Sequence, residues 1–320
     1  MDLARAVPGD KVLRACVATL GNFDGMHLGH RRLVGETVQS ARGRGLPSVA
    51  VTFDPHPTKI LAPDQSPRLL MTLAQKLDTF ERIGIDLAWV IPFGRDFSLL
   101  DPETFLASLF GALCPVEMHV GSAFRFGRDR AGDVSTLGTM GARAGCAVHP
   151  HSYRAPDGGP LSSDRVRRLL LDGDVALARE LLDAPFRLTG VVVEGDRRGR
   201  TMGFPTANLA WEQELLPAPG VYVTGVRSRA IAADLPAQGI TNVGTKPTFG
   251  GQSTTVETHL PGMAADLYGA RLEIDFLHRL RGEEKFASPD DLRTKIADDL
   301  GSAADIWGKT NTTKKDACLL

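Results

Sequence analysis

The stretch Gly21-Asn22-Phe23-Asp24-Gly25-Met26-His27-Leu28-Gly29-His30 follows directly on the short apolar run Cys16-Val17-Ala18-Thr19-Leu20. The order reads as a strand, a tight glycine-bearing turn and a helix that begins near His30. Glycines at 21, 25 and 29 let the backbone approach an anion, and the helix N-terminus attracts one. His27 and His30 are three apart across the turn. Both imidazoles are therefore placed to donate to one triphosphate as charge develops on it. Nothing in the stretch supplies a nucleophile. The chemistry it suits is in-line attack by a substrate phosphate on the α-phosphorus of a nucleotide, with pyrophosphate leaving. By itself a His-x-x-His pair also suits a plain turn or a metal; the flanking Gly-Asn-Phe-Asp-Gly and Gly29 favour the phosphate reading.

Outward from this turn the first half alternates between strands and helices. Leu33, Val34, Val38 and Ala41 recur at helical spacing over 30–42, and Gly43 and Gly45 stop that helix. Ser48–Phe53, Leu87–Phe93 and Met118–Val120 read as strands. Helices marked by Leu73, Leu77, Phe80 and Ile83, and by Phe105, Leu106, Leu109 and Leu113, lie between them. This alternation predicts a doubly wound α/β domain with a parallel sheet, whose ligands bind at the carboxyl ends of the strands. Gly21 falls at such an end. So does Thr52-Phe53-Asp54-Pro55-His56-Pro57, which brings another imidazole and a carboxylate to the same edge, although alone it is only a turn signal.

The pattern changes near Leu182-Asp183-Ala184-Pro185. β-rich runs at 188–194, 221–226, 254–260 and 271–277, parted by Gly/Pro turns, predict a small antiparallel β-barrel. Gly195-Asp196-Arg197-Arg198-Gly199-Arg200-Thr201-Met202-Gly203 is a basic, glycine-rich loop able to fold over a nucleotide's phosphates. In isolation it reads equally as a solvated hairpin loop. In Pro205-Thr206-Ala207-Asn208 a hydroxyl and an amide carbonyl offer hard oxygens suited to Mg²⁺. Glu257, in the alternating run Thr255–Leu260, is a half-buried carboxylate placed to take a proton from an alcohol, or else to form a cross-strand ion pair. His259 lies two on, on the same strand face, and is assigned to packing or hydrogen bonding. Ser288-Pro289-Asp290-Asp291 starts a helix that should run to about Leu300, and the polar, aperiodic 301–320 reads as a flexible tail.

The chain has 320 residues, 42% of them apolar and 23% charged, which suits two globular domains. A net charge of -1 leaves no basic footprint for nucleic acid or an anionic membrane. No run approaches the length of a membrane span, and Met1–Lys11 has no signal-peptide core. Cys16, Cys114, Cys146 and Cys318 lack metal-like spacing and suit a reduced cytoplasm. No heptad or large apolar stripe points to an oligomeric state.

Taken together, these blocks resemble the bacterial bifunctional riboflavin kinase/FMN adenylyltransferase (FAD synthetase) family. Gly21–His30, Thr52–Pro57, Gly121–Gly127 and Ser162-Ser163 are similar to its nucleotidyltransferase half. Gly199–Asn208, Pro219–Tyr222, Asn242–Phe249, Val256–His259, Asp266–Gly269 and Leu280–Phe286 are similar to its riboflavin kinase half. The resemblance implies an enzyme that phosphorylates riboflavin to FMN and then adenylylates FMN to FAD. ATP is the co-substrate and Mg²⁺ the cofactor of both steps. In residues 1–184 it implies catalytic His27 and His30, with ATP held by Gly21, Asn22, Phe23, Asp24, Gly25, Gly29, His56, Ser163 and Arg167. In residues 185–300 it implies Gly195, Arg200 and Gly203 on the phosphates, Thr206 and Asn208 on the metal, Glu257 as base, and Arg281 closing the flavin pocket. Three positions depart from the family pattern: Ala123 stands where Asp or Asn is usual, Pro160 where Arg is, and Asp164 where Thr is. An aspartate near phosphate is repulsive and a lost arginine removes a clamp. These departures keep open an alternative, a riboflavin kinase whose first domain is weakened or repurposed.

Overall fold

The computed structural model describes residues 1–5, 15–195, 199, 203–231, 236–248, 251–263 and 265–317. Arg200 and Cys318 lie outside them. The chain forms two compact units, Met1–Ser163 and Asp164–Leu320.

The first unit is built on six parallel strands: β1 (Asp2–Arg5), β2 (Cys16–Leu20), β3 (Ser48–Asp54), β4 (Leu87–Pro92), β5 (Pro115–Gly121) and β6 (Ala147–His151). Their spatial order is β1-β4-β3-β2-β5-β6. Every residue of β2 is buried, as are Ser48–Phe53 of β3. Burial on both faces is why these strands read as continuous apolar runs rather than alternating ones. Helices α1 (Leu28–Arg44), α2 (Pro57–Leu61), α3 (Leu73–Ile83), α4 (Arg95–Ser98), α5 (Pro102–Leu113) and α6 (Val134–Arg143) join them. Leu33, Val34 and Val38 of α1 share one core with Phe80 of α3. Phe105, Leu106 and Leu109 of α5 share a second with Leu137 of α6. From β2 the chain moves to β3 on one side, and after β4 it returns to β5 on the other side. The carboxyl ends of β2 and β5 therefore flank the topological switch point, where a doubly wound sheet opens a crevice. Gly21 stands there.

The second unit is a closed antiparallel barrel in the order β10-β11-β8-β7-β12-β9. Its strands are β7 (Phe186–Val193), β8 (Thr206–Trp211), β9 (Gly220–Arg227), β10 (Ala237–Thr248), β11 (Gly251–His259) and β12 (Arg271–Arg281). Leu188, Tyr222, Val223, Ile274 and Phe276 are fully buried within it. Helices α7 (Ser163–Asp172) and α8 (Val175–Leu182) precede the barrel. The compact units part at Ser163/Asp164, whereas the change of sequence pattern lies at Ala184/Pro185. The two helices between these points bond to the barrel: Ala218 N–H donates to Leu170 O at 2.9 Å and Arg279 to Asp172 O at 3.2 Å.

The last helix, α9, spans Pro289–Ala317. Ser288 Oγ caps it, accepting from Asp291 N at 3.1 Å. It does not end near Leu300, where polar composition had placed the start of the tail. Ala303 is fully buried, and the Trp307 ring lies 3.6 Å from where a side chain on Gly225 of β9 would begin. Small and aromatic anchors one turn apart hold the helix to the barrel despite its polar surroundings.

Candidate functional site

In the first unit the turn after β2 is held by one carboxylate and one ammonium. Asp24 is buried and accepts from Leu70 N at 3.0 and 3.3 Å. Lys76 of α3 is also buried; its Nζ donates to Asn22 O at 2.6 Å and to Thr52 Oγ1 at 3.3 Å. Burial pushes the Lys76 pKa down to about 8. Phe23 and Met26 have positive φ, at 51° and 43°, and Gly25 has φ 78°. A side chain on Gly25 would begin 2.5 Å from Leu70 Cδ1 and would strain the backbone at this φ, so glycine suits the turn there. Ser163 Oγ closes the turn from the other side, donating to Asp24 O at 2.8 Å.

His27 is the N-cap of α1, and its Nδ1 accepts from His30 N at 3.3 Å. That bond fixes the tautomer: Nδ1 is bare, and the ring hydrogen is on Nε2. The His27 and His30 rings stack with centroids 3.7 Å apart, and Phe23 meets His30 edge-on at 5.3 Å. Gly29 lies under the His27 ring. Burial lowers the His27 pKa to about 4; His30 is also well below the ordinary value, through burial and then the charges of His27 and Lys76. Both rings are thus neutral near pH 7 and offer N–H groups rather than charge. His30 Nδ1 is buried with no hydrogen-bond partner among the described residues, which marks a polar position made for something beyond the chain. Gly21, Asn22, Phe23, Asp24, Gly25, His27, Gly29, His30 and Ser163 are therefore one constellation.

At the end of β3, His56 Nδ1 stands 2.7 Å from Thr58 Oγ1 and caps α2. Arg167 is 9% exposed and pairs with Asp164 one turn back on α7. Asp164 thus faces an arginine rather than only the helix end. Ala123 and Pro160 are exposed.

In the barrel, Thr206, Asn208, Glu257, His259 and Arg281 line one cavity of about 370 Å³, a size within the range of small-ligand pockets. Asn208 is the register partner of Glu257 across β8 and β11, and Thr206 of His259. Pairing and period-2 alternation place all four on one face. His259 Nδ1 lies 2.8 Å from Pro205 O, a hydrogen-bonding rather than a ligating role. Gly195 passes so close to Asn208 that a side chain there would begin 2.2 Å from Nδ2. Gly199 O accepts from Phe204 N at 2.8 Å, which closes the loop ahead of β8, and Gly203 turns there with φ 88°. Arg281 grips Asp299 of α9, with Nε and Nη2 at 3.0 and 2.8 Å from Oδ2, and its guanidinium lies 5.7 Å from the centre of the Phe286 ring. Leu292, Ile296 and Leu300 of α9 make an apolar wall.

Sequence reasoning missed Lys76, Asp299 and the α9 wall. Lys76 had a readable signal: it falls within the apolar stripe Leu73, Leu77, Phe80 of α3, where a lysine must find partners.

The FAD synthetase family model matches residues 10–165, and the riboflavin kinase family model matches residues 182–307. The bifunctional riboflavin kinase/FMN adenylyltransferase of Escherichia coli strain K12 is 37% identical over 296 residues, covering 92% of this chain and 94% of that protein. The protein of the same description from Bacillus subtilis strain 168 is 33% identical over 292 residues, 88% of this chain and 90% of its own. The crystal structure of a macrolide-efflux protein from Streptococcus pneumoniae superposes with a TM-score of 0.80 at 28% identity, over 96% of this chain and 98% of that one. Among the described residues no helix is long and apolar enough to cross a membrane.

Proposed function

The chain belongs to the bifunctional riboflavin kinase/FMN adenylyltransferase family, and on that premise we propose which of its residues carry each reaction. It is an enzyme of FAD synthesis, phosphorylating riboflavin with ATP and then joining FMN to the AMP part of a second ATP. The monofunctional alternative is not favoured, because both family models match and the relatives carry both activities in their names.

The observation that supports the kinase assignment best is the barrel cavity shared by Thr206, Asn208, Glu257 and Arg281. Glu257 takes the proton of the ribityl 5′-hydroxyl as that oxygen attacks the γ-phosphorus of ATP. The bond to the β–γ bridging oxygen breaks, and FMN and ADP result. The Thr206 hydroxyl and Asn208 carbonyl are hard oxygens lining the same cavity as the Glu257 carboxylate, a donor set that fits Mg²⁺. Bound there, Mg²⁺ neutralises phosphate charge. Gly195, Arg200 and Gly203 cover the phosphates. Arg281, fixed by Asp299, closes the flavin end with Phe286.

For adenylyl transfer, Gly21–Gly29 cradle ATP at the switch point. An FMN phosphate oxygen attacks the α-phosphorus, and the bond to the α–β bridging oxygen breaks to release pyrophosphate. Neutral His27 and His30 donate N–H groups to the departing charge, with Lys76 behind them as the buried cation. His56, Ser163 and Arg167 complete the phosphate contacts. Functionally, residues 1–184 are the adenylyltransferase module and 185–300, with the α9 helix that continues from it, the kinase module, and the enzyme works in the cytoplasm.

The test is a chromatographic assay with Mg²⁺–ATP, started in one tube from riboflavin and in another from FMN. FAD is expected from both. FMN without FAD in either tube would leave a kinase alone and overturn the first-site assignment.

A further inference from the structure

Outside both sites, α1, β5 and β6 bring together a relay of imidazoles and carboxylates. Glu36 Oε2 lies 2.8 Å from His151 Nδ1 and accepts the Tyr153 hydroxyl at 2.7 Å. His151 Nε2 lies 2.9 Å from His119 Nδ1. His119 Nε2 lies 2.8 Å from Glu117 Oε1, and Arg44 pairs with the other oxygen of Glu117. Ligand atoms of Glu36, His119 and His151 all lie within 4.8 Å of one another.

Hydrogen counting makes this cluster unusual. A carboxylate offers only lone pairs, so each imidazole carries its hydrogen on the nitrogen that faces a glutamate: Nε2 of His119 and Nδ1 of His151. The two remaining nitrogens then face each other as bare lone pairs at 2.9 Å. Such a contact is repulsive unless a proton or a metal cation lies between them. Two imidazoles, each held from its far nitrogen by a carboxylate, are the arrangement in which histidine ligates a transition metal. Zinc–nitrogen bonds of about 2.0–2.1 Å in a tetrahedron set two ligand nitrogens about 3.3 Å apart, so the rings need part by only a few tenths of an ångström. The charge agrees: Arg44 answers one of the two carboxylates, Glu117.

We infer that His119 Nδ1 and His151 Nε2 are the nitrogen ligands of a divalent transition-metal site of the zinc class, with Glu117 and Glu36 orienting the two rings from their far nitrogens and solvent completing the sphere. The His151 side chain is 21% exposed and that of Glu36 39%, so metal and water reach the site from the surface. Mg²⁺, which prefers oxygen ligands, is not its ion. The metal would join β5 to β6 through His119 and His151, and Glu36 of α1, the helix that His27 caps, is held to that pair through His151 Nδ1, so binding would stabilise the first unit.

The test uses the full chain after chelator treatment. Calorimetric titration with Zn²⁺ alone should show one saturable equivalent. Co²⁺ in its place should give visible d–d absorption bands of a nitrogen-ligated ion, and the melting temperature should rise with either metal. His151→Gln, at the half-exposed rim, and His119→Gln should each abolish the Co²⁺ bands. Glu117→Gln, which removes the negative charge that orients His119 and answers Arg44, should weaken binding by about 10–100-fold. His149→Gln, outside the nitrogen pair, should bind as wild type. Absence of saturable Zn²⁺ binding would overturn the inference. So would Co²⁺ bands that persist in a folded His151→Gln protein, since the metal would then sit elsewhere, for instance on His27 and His30.

Discussion

Asn208 and Glu257 stand directly opposite each other across the β8–β11 ladder. An amide and a carboxylate so paired face the same cavity, and neither can be moved without shifting a strand of a closed barrel. The proposed metal ligand and the proposed base are therefore held at a fixed separation by backbone pairing rather than by side-chain packing.

Glu257→Gln keeps the shape of the side chain and removes its basicity. FMN formation should fall by about 10²–10⁴-fold in kcat, the usual worth of a general base. FAD formation from supplied FMN should be unchanged, as read by chromatography of the two separate reactions. An unimpaired kinase step would show that the base lies elsewhere.

The buried His27 makes the first unit sensitive to acid. Its folded pKa of about 4 lies below the ordinary 6.5, so the unfolded ring binds a proton that the native ring refuses. Stability is complete above pH 6.5 and is lost as pH falls toward 4, by at most on the order of 3 kcal/mol. His27→Asn retains a helix-capping side chain and removes the titration. Urea unfolding at a series of pH values should give a shallower acid decline for this variant than for wild type.

Lys76 connects the turn to the chemistry. Lys76→Met should lower FAD formation by at least about tenfold, the scale of a lost charge-assisted hydrogen bond, and spare the kinase step. Its pKa of about 8 means that wild type loses this cation as pH rises through 8. The adenylyl-transfer rate should therefore decline above pH 8 in wild type, with no such limb in Lys76→Met.

Asp164 occupies Arg167, a proposed phosphate contact. Asp164→Asn releases the guanidinium and removes a negative charge from the start of α7. Adenylyl transfer should rise by up to about fivefold, the factor that an exposed ion pair withholds. A drop in the KM for ATP should carry most of it. An unchanged KM would separate Arg167 from the nucleotide.

Arg281 and Asp299 have side chains only 14% and 10% exposed. Arg281→Ala leaves a buried carboxylate without its partner and should cost about 3–5 kcal/mol in the urea unfolding of the barrel. Arg281→Met combined with Asp299→Leu should recover most of that stability. Riboflavin affinity should remain weakened, because the guanidinium over Phe286 is still missing.

Much of this arrangement was legible in the residues. The strand, glycine turn and helix around Gly21–His30 are visible because buried parallel strands leave unbroken apolar runs and phosphate turns leave glycines. Thr206, Asn208 and Glu257 share a face as their period-2 spacing requires, and the register adds that they share a cavity. Strands β1 and β6 were not legible. Asp-Leu-Ala-Arg and Ala-Val-His-Pro-His carry no apolar run, and pairing with β4 and β5 makes them strands. The length of α9 was hidden for the related reason that its anchors, Ala303 and Trp307, are sparse in a polar stretch. Arg281 lines the barrel cavity, but its partner Asp299 reads on paper as one more surface acid.

The two outer strands of the parallel sheet have a consequence for life in a crowded solution. An outer strand offers unpaired backbone groups to any passing chain, and this is how folded proteins begin to aggregate. Here β1 is only four residues long, and β6 carries a proline with no N–H to give, next to an exposed, polar His149. The barrel, being closed, has no outer strand. The features that made β1 and β6 poor strands to the eye also make them poor templates for a second molecule.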